Sequence, residues 1–421
     1  MRVGIVGGGI TGLALLHELV GRGLDPILFE RDTRPGGIIR TRRLDGSLFE
    51  VGPQRTRLVP SVRRLVEDLG LGRRVVTARE GARLHIWTRG RLRAVPDRLS
   101  GLLTSALLTP AGRLRMLVEP LSGALRSSES VADYFTRKAG AEAYRTLFGP
   151  LISATFGSDP ARMPARHSLP MILRPLGVER SLVRAAGRWK GGNAPACTFA
   201  DGMSELVDAL AHRHGGRIQL GQEVTGLERV GSKLLVRLAA GGEEVDHVVL
   251  ATPASASAPL IASLGEDAEA AAALVGGLRY NEVTIVSLQA DPPQRGFGFQ
   301  SAFDAPWRTR GVTWAGWLFD RGPVCTAYLG GGLDPEIATW ADEAVAATAV
   351  QEFEEIHGTS AAALDVARAT LPSFDDSWDP LDDLVVPEKI TIAANYVGRL
   401  GISARIAQAE AVAEGLASRV A

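Results

Sequence analysis

The sequence predicts an α/β fold: a Rossmann-like, two-dinucleotide-binding domain, an α+β domain joined to it, and a helical insertion. Three observations carry this. Residues 2–30 read as strand, glycine turn, helix and strand. The chain of 421 residues exceeds one typical core and calls for several subdomains. β-rich stretches and a long helix separate the opening motif from a second glycine-rich turn and helix at 396–420.

Val3, Ile5 and Val6 form a short apolar run, and Gly7, Gly9 and Gly12 follow as G-x-G-x-x-G. Leu13 to Val20 continue with helical apolar spacing. Gly7 permits a tight turn, and Gly12 lets helix and strand pack closely. Gly9 lets a pyrophosphate approach the backbone, where free helix N–H groups and the helix dipole favour it. A second apolar run, Pro26 to Phe29, ends at Glu30, eighteen residues past Gly12. Its carboxylate can accept hydrogen bonds from ribose hydroxyls.

Arg31 and Arg34 lead into a second glycine pair, Gly36-Gly37, followed by Ile38 and Arg40. This pair again permits close backbone approach. A nicotinamide cofactor does not need it, whereas a cofactor of longer reach such as FAD does. Leu48 to Val51 read as a strand, and Gly52-Pro53 as a sharp turn.

Composition bounds the class. Hydrophobic residues make up 45% and charged residues 22%, as in a globular protein. No apolar run reaches the roughly eighteen residues of a membrane span. The opening apolar run reads as a Rossmann strand, not a signal peptide. Cys197 and Cys325 lie far apart, so neither a structural disulfide nor a cysteine metal site is expected. The seven histidines form no ligand pattern, and no metal is expected. Net charge is zero, yet residues 1–190 carry 32 Lys and Arg against 16 Asp and Glu. The remainder carries 15 against 31. A basic half suits nucleic acid, an anionic membrane surface or an acidic small substrate. Solvated arginine-rich faces account for it equally well.

Residues 56–126 read as helices and short strands. Residues 84–126 hold seven arginines interleaved with Leu102, Leu103, Leu107, Leu108, Leu114, Met116, Leu117 and Leu121. That composition fits an amphipathic segment lying on a membrane surface, or a helical subdomain packing its leucines inward. Residues 189–196 read as a loop, and Met203 to His214 as a helix. Arg217 to Leu238 alternate as strands around Gly231-Ser232, and Val245 to Leu250 form a buried strand before Thr252. Strands follow at 281–289, 311–318 and 324–329, a helix at 335–357 and a strand at 365–371. Ile390 to Asn395 read as a strand, and Ser403 to Val420 as a helix whose N-terminus would point its N–H groups at a flavin pyrimidine.

E-x-x-x-R-x-G-G at Glu30–Gly37, then a strand ending in Gly52-Pro53, resembles the flavin-containing amine oxidase superfamily. Ser130 to Phe135, Leu147 to Pro160 and Ser105 to Arg115 resemble its protoporphyrinogen oxidase branch, as does Asn395…Gly401-Ile402. The resemblance spans nearly the whole chain and thins between about 280 and 385. Two departures stand out. Gly398 and Arg399 are shifted or swapped relative to the family's turn, and the segment Pro372 to Pro387 is short, with five aspartates from Asp375 to Asp383.

The resemblance implies a non-covalent FAD domain from 1–55, 197–275 and 385–421. It implies a substrate domain from 56–83 and 276–384, and a helical, membrane-facing insertion over 84–196. FAD would be held by Gly7, Gly9, Gly12, Glu30, Arg31, Arg34, Gly36, Gly37, Ile38, Gly52, Pro53, Val224, Thr252, Asn395, Gly401 and Ile402. Arg79 and Arg399 are the expected substrate contacts, and no catalytic acid or base is expected. The implied reaction is oxidation of protoporphyrinogen to the porphyrin, with molecular oxygen as acceptor. Coproporphyrinogen III oxidation, another polycyclic or isoprenoid oxidation or desaturation, and a carrier role stay open. The implied partners are the porphyrinogen, oxygen, a peripheral membrane contact and a second copy in a homodimer, with no nucleic acid. The expected location is cytoplasmic, peripheral on the membrane's inner face. Ala394-Asn395 replaces the Gly-Glu that usually ends this strand in amine oxidases, which argues against an amine substrate.

Overall fold

The computed structural model describes residues 1–96, 101, 104–126, 128–173, 178, 181–182, 194–398 and 400–419. Arg399, Leu102, Leu103 and most of the expected loop at 189–196 lie outside the described residues.

A five-stranded parallel sheet runs in the order Ile218–Leu220, Asp25–Glu30, Arg2–Val6, His247–Leu250, Ile390–Ile392. Its strands come from three distant parts of the sequence. Val3, Ile5, Val248, Val249 and Leu250 are fully buried, because both faces of a parallel sheet are covered. Helices Ile10–Gly21, Ser204–His214 and Ile402–Ala417 share one apolar core on one face. Val224–Val230, Lys233–Leu238 and Gly242–Val245 form an antiparallel meander, hinged at Gly231-Ser232, which contributes to the core on the other.

The second domain is built on a seven-stranded sheet. Its order is Ala362–Pro372, Tyr280–Gln289, Val324–Gly330, Gly311–Thr313, Gly298–Ser301, Leu84–Thr88, Arg91–Ala94. Helix Asp342–His357 packs Val345, Ala349 and Phe353 into the core beneath it.

Several elements differ from the sequence reading. The strand expected at 311–318 stops at Thr313, and Ala315–Phe319 forms a short helix closed by Asp320 at φ 59°. Its apolar residues face the core from both periods, so alternation alone does not separate the two states. The helix expected at 335–357 is interrupted. Pro335–Thr339 is a 3₁₀ turn, and the α-helix begins at Asp342. The last strand ends at Ile392, short of Asn395. Leu84–Thr88 and Arg91–Ala94 belong to the seven-stranded sheet, through parallel pairing of Leu84–Thr88 with Gly298–Ser301. The helical part of the chain follows them.

That part comprises Pro110–Leu117, Val131–Ala139, Gly149–Phe156 and Ala165–Leu173. Ser130 and Asp133 form a reciprocal capping box that fixes the start of the second helix. Leu107, Leu108 and Met116 are buried with Ile86 of the sheet. Leu114, Leu117, Val118 and Leu121 point outward, Leu121 being 84% exposed. Among the described residues, no helix is long and apolar enough to cross a membrane.

Candidate active site

Three glycine turns meet at the carboxyl end of the parallel sheet, where open α/β sheets bind their ligands. Gly7 follows the first strand at φ 107°, and Gly9 caps helix Ile10–Gly21 with open space beside its Cα. The first helical hydrogen bond runs from Leu13 N–H to Gly9 C=O, so preceding N–H groups are free for an anion. A Cβ on Gly12 would lie 2.0 Å from the Gly7 carbonyl oxygen, so only glycine fits there.

The second turn docks on the first. Gly36 N–H donates to Gly8 C=O at 2.8 Å, and Gly9 and Gly36 form an isolated parallel bridge. Gly37 lies at φ 56° against the Cα of Gly9. Arg34 bonds back to the Ile39 carbonyl at 2.8 Å, which shapes this turn, while Arg31 is exposed beside Asp32. The third turn closes the stack: a Cβ on Gly52 would strike the Ile38 carbonyl oxygen at 2.0 Å.

Glu30 ends the second strand and turns back toward the glycines. Its carboxylate accepts from Gly8 N–H at 2.6 Å and Asp32 N–H at 2.9 Å. The segment leading to Val224 passes alongside: Gln222 N–H donates to the Glu30 carbonyl at 2.9 Å. Thr252 approaches Gly7 from the fourth strand and bonds Ser257 through its hydroxyl. Asn395 follows the last strand, and its buried Oδ1 accepts no hydrogen bond among the described residues. Gly401 takes φ 94° as N-cap of the terminal helix, which starts at Ile402. A glycine cradle, a carboxylate beside it, a helix N-terminus and an unsatisfied amide oxygen fit a dinucleotide flavin.

Between the third turn and the seven-stranded sheet lies a cavity of about 400 Å³. Ile38 and the run Gly52 to Arg55 form one wall, and Pro150, Ser153, Ala154 and Gly157 a second. Val283, Ile285, Gln300, Arg310, Tyr328 and Leu371 are among the sheet residues completing it. The wall is mostly apolar, and its only ionisable carriers of charge among the described residues are Arg55 and Arg310. Arg310 is held bidentately by Asp334, which also receives Arg308. Burial pushes the Tyr328 phenol above its ordinary value, so it stays protonated and can donate.

Arg79, expected to touch substrate, is not among the residues lining this cavity. Its guanidinium pairs with exposed Asp320 at 2.7 Å and lies over the Trp317 ring. Sequence reading missed Arg55, Gln54, Arg310 and Tyr328. Only Gln54 and Arg55 had a local signal, their place directly after Gly52-Pro53. The other two are brought in by strand pairing from positions far along the chain.

The fold and the turns define an FAD-dependent oxidoreductase of the two-dinucleotide-binding class. The family model described as flavin containing amine oxidoreductase matches residues 10–379, and the chain belongs to that family. Protoporphyrinogen oxidase 2 of Arabidopsis thaliana is 32% identical over 178 residues, covering 40% of this chain and 35% of the relative. Coproporphyrinogen III oxidase of Bacillus subtilis is 26% identical over 291 residues, covering 62% and 61%. The chain thus spans between about a third and three-fifths of the length of these curated relatives. A crystal structure from Exiguobacterium sp. 255-15, provisionally named a protoporphyrinogen oxidase, superposes with a TM-score of 0.80. It shares 21% identity and 99% coverage of both chains, and shows the same fold.

Proposed function

We propose that the chain oxidises a porphyrinogen to the porphyrin in tetrapyrrole synthesis, with protoporphyrinogen as substrate and molecular oxygen as acceptor. One observation carries this reading beyond the names of its relatives. The cavity beside the glycine turns is apolar, and its two charged residues are arginines, with no carboxylate in the described lining. An ammonium substrate would find no counter-ion there, whereas a flat, greasy, acidic ring would.

The chemistry that bound FAD supplies is hydride acceptance from a ring carbon, once for each two-electron step. The residues of this chain bind, orient and exclude water. Gly52 and Pro53 carry the backbone along the cavity wall, Gly52 lying too close to the Ile38 carbonyl for any side chain. Ile38, Val283, Ile285 and Leu371 supply apolar contact. The Glu30 carboxylate and the N-terminus of helix Ile10–Gly21 would hold the ribose and pyrophosphate. With FAD bound, the N-terminus of helix Ile402–Ala417 would offer its N–H groups to the negative charge that reduction brings. The exposed Leu114, Leu117, Val118 and Leu121, in the basic half of the chain, support a peripheral membrane contact from which a greasy substrate enters.

Coproporphyrinogen III is the second reading. A coproporphyrinogen III oxidase, that of Bacillus subtilis, stands among the relatives beside the protoporphyrinogen oxidases. Anaerobic reduction of the holoenzyme flavin by each porphyrinogen, followed by porphyrin fluorescence, tests both. Flavin bleaching by neither would overturn the proposal.

A further inference from the structure

Arg55 stands apart from the other arginines around the cavity. Arg310 is neutralised by Asp334, and Arg321, nearby, by Glu50 at 2.9 Å. No carboxylate lies within ion-pair distance of Arg55 among the described residues. Its guanidinium carbon lies 5.1 Å from the centroid of the Phe297 ring, a cation–π contact and not an ion pair. Its neighbours are the neutral Tyr328 and a second cation, Arg57.

The backbone holds Arg55 firmly. The Gln54 side-chain amide donates to the carbonyls of Glu50, at 2.8 Å, and Gly52, at 3.2 Å, and its oxygen accepts from Thr326 Oγ1 at 3.1 Å. Thr56 pairs with Cys197 on the other side. Arg55 is therefore presented at the cavity wall by residues pinned before and after it. Burial without an anion lowers its proton affinity from the ordinary value, the signature of a cation lacking its partner. A half-buried lone cation is costly, and a chain that keeps one at a cavity wall stores recognition for an anion.

We propose that Arg55 is the specificity-determining residue of the cavity, pairing with a carboxylate carried by an otherwise apolar substrate. This rests on the reading of the cavity as the substrate site, and it assigns the propionate contact to Arg55. The planar fork of the guanidinium matches a carboxylate in two parallel hydrogen bonds, which a lysine would not reproduce.

The test uses the full-chain holoenzyme and a pair of fluorescent probes, 1-pyrenebutyrate and its primary amide, which differ only in charge at the head group. Wild type is expected to bind the acid at least about tenfold more tightly than the amide. Arg55→Gln should lose that preference while binding the amide as before, and Arg55→Lys should keep part of it. Equal binding of acid and amide by wild type, binding of neither, or a preference that survives in Arg55→Gln overturns the proposal. The wild-type ratio is read without any variant, so misfolding of Arg55→Gln does not remove the test. With protoporphyrinogen, Arg55→Gln should raise KM at least about tenfold and leave kcat within about threefold. Acid preference without porphyrinogen turnover would sink the proposed function and leave Arg55 standing. Turnover with an unmoved KM and no acid preference would do the reverse.

Discussion

Oε1 of Glu50 stands 2.9 Å from Nη1 of Arg321, with side chains only 2% and 7% exposed. Glu50 ends the strand before the third glycine turn, and Arg321 follows the short helix Ala315–Phe319 of the domain built on the seven-stranded sheet. Glu50 also accepts from Met203 N–H and the Thr41 hydroxyl, and Arg321 donates to Thr198 and the Phe199 carbonyl. The pair therefore fastens the wall that carries Gly52 to Arg55 against the sheet across the cavity. Burial raises the Glu50 carboxyl above its ordinary value, and Arg321 opposes that shift.

Removing one partner leaves an uncompensated buried charge. Arg321→Leu should cost about 3–5 kcal/mol of unfolding free energy, read from urea titration. The double variant Glu50→Gln/Arg321→Leu should recover part of that loss. A single variant as stable as wild type would show that the pair does not fasten the domains.

FAD should be held non-covalently. Acid precipitation of the yellow protein should leave FAD, and not FMN, in the supernatant. Gly12→Ala forces a Cβ onto the Gly7 carbonyl, so that variant should purify colourless, as absorbance near the flavin bands would show. Flavin retained in the pellet would count against this.

The terminal turn gives a redox prediction. Gly401 sits at φ 94° with nothing within 4 Å of where a Cβ would stand, so Gly401→Val is strained by its backbone and not by a clash with the chain. A cost of about 1 kcal/mol or more is expected. The flavin reduction potential of the variant should fall, because displaced N–H donors no longer stabilise reduced flavin. An unchanged potential in a variant that still binds FAD would mean that the helix N-terminus plays no electrostatic part.

Anionic vesicles should capture the protein weakly at low salt and release it as salt rises. Leu117→Ser/Leu121→Ser should weaken capture roughly tenfold or more without altering stability, since both side chains are exposed. Co-sedimentation insensitive to both salt and these substitutions would exclude the patch as a membrane contact.

Stability should fall as pH drops below neutral. Burial depresses His214, His247 and His357 from 6.5 to about 4. A histidine held neutral in the fold but protonated when unfolded stabilises fully above 6.5, and that contribution is lost as pH falls toward about 4. His247 bonds Thr391 across the parallel sheet at 2.8 Å. His247→Gln should flatten the slope of unfolding free energy between pH 6.5 and 4, and an unaltered slope would acquit this residue.

The opening βαβ unit was legible because its chemistry is local. Gly7, Gly9, Gly12 and Glu30 each answer a need set by residues within one supersecondary unit, and the same holds for Gly36 and Gly37. The cavity was not. Arg310 and Tyr328 reach it through strand register, and Arg55 is distinguished from other arginines only by what does not lie beside it. The short helix at Ala315–Phe319 escaped because an apolar run buried on all sides carries no period. The pairing of Arg79 with Asp320 is likewise invisible in the sequence, because only the fold brings the two together.

The order of strands in the parallel sheet also bears on how the molecule is made. During synthesis His247–Leu250 emerges with one edge unpaired, and it stays so while five strands of the seven-stranded sheet are still to be made. Helix Ile10–Gly21 likewise waits for Ile402–Ala417 to cover it. The nascent chain therefore carries a bare edge of a buried strand and an uncovered leucine face until residues 390–417 have been made. That interval is when edge-to-edge association between unfinished chains is favoured. Slow translation of residues 251–389 would lengthen it, and a supply of FAD could not shorten it, since the turn at Gly401 is made only after them.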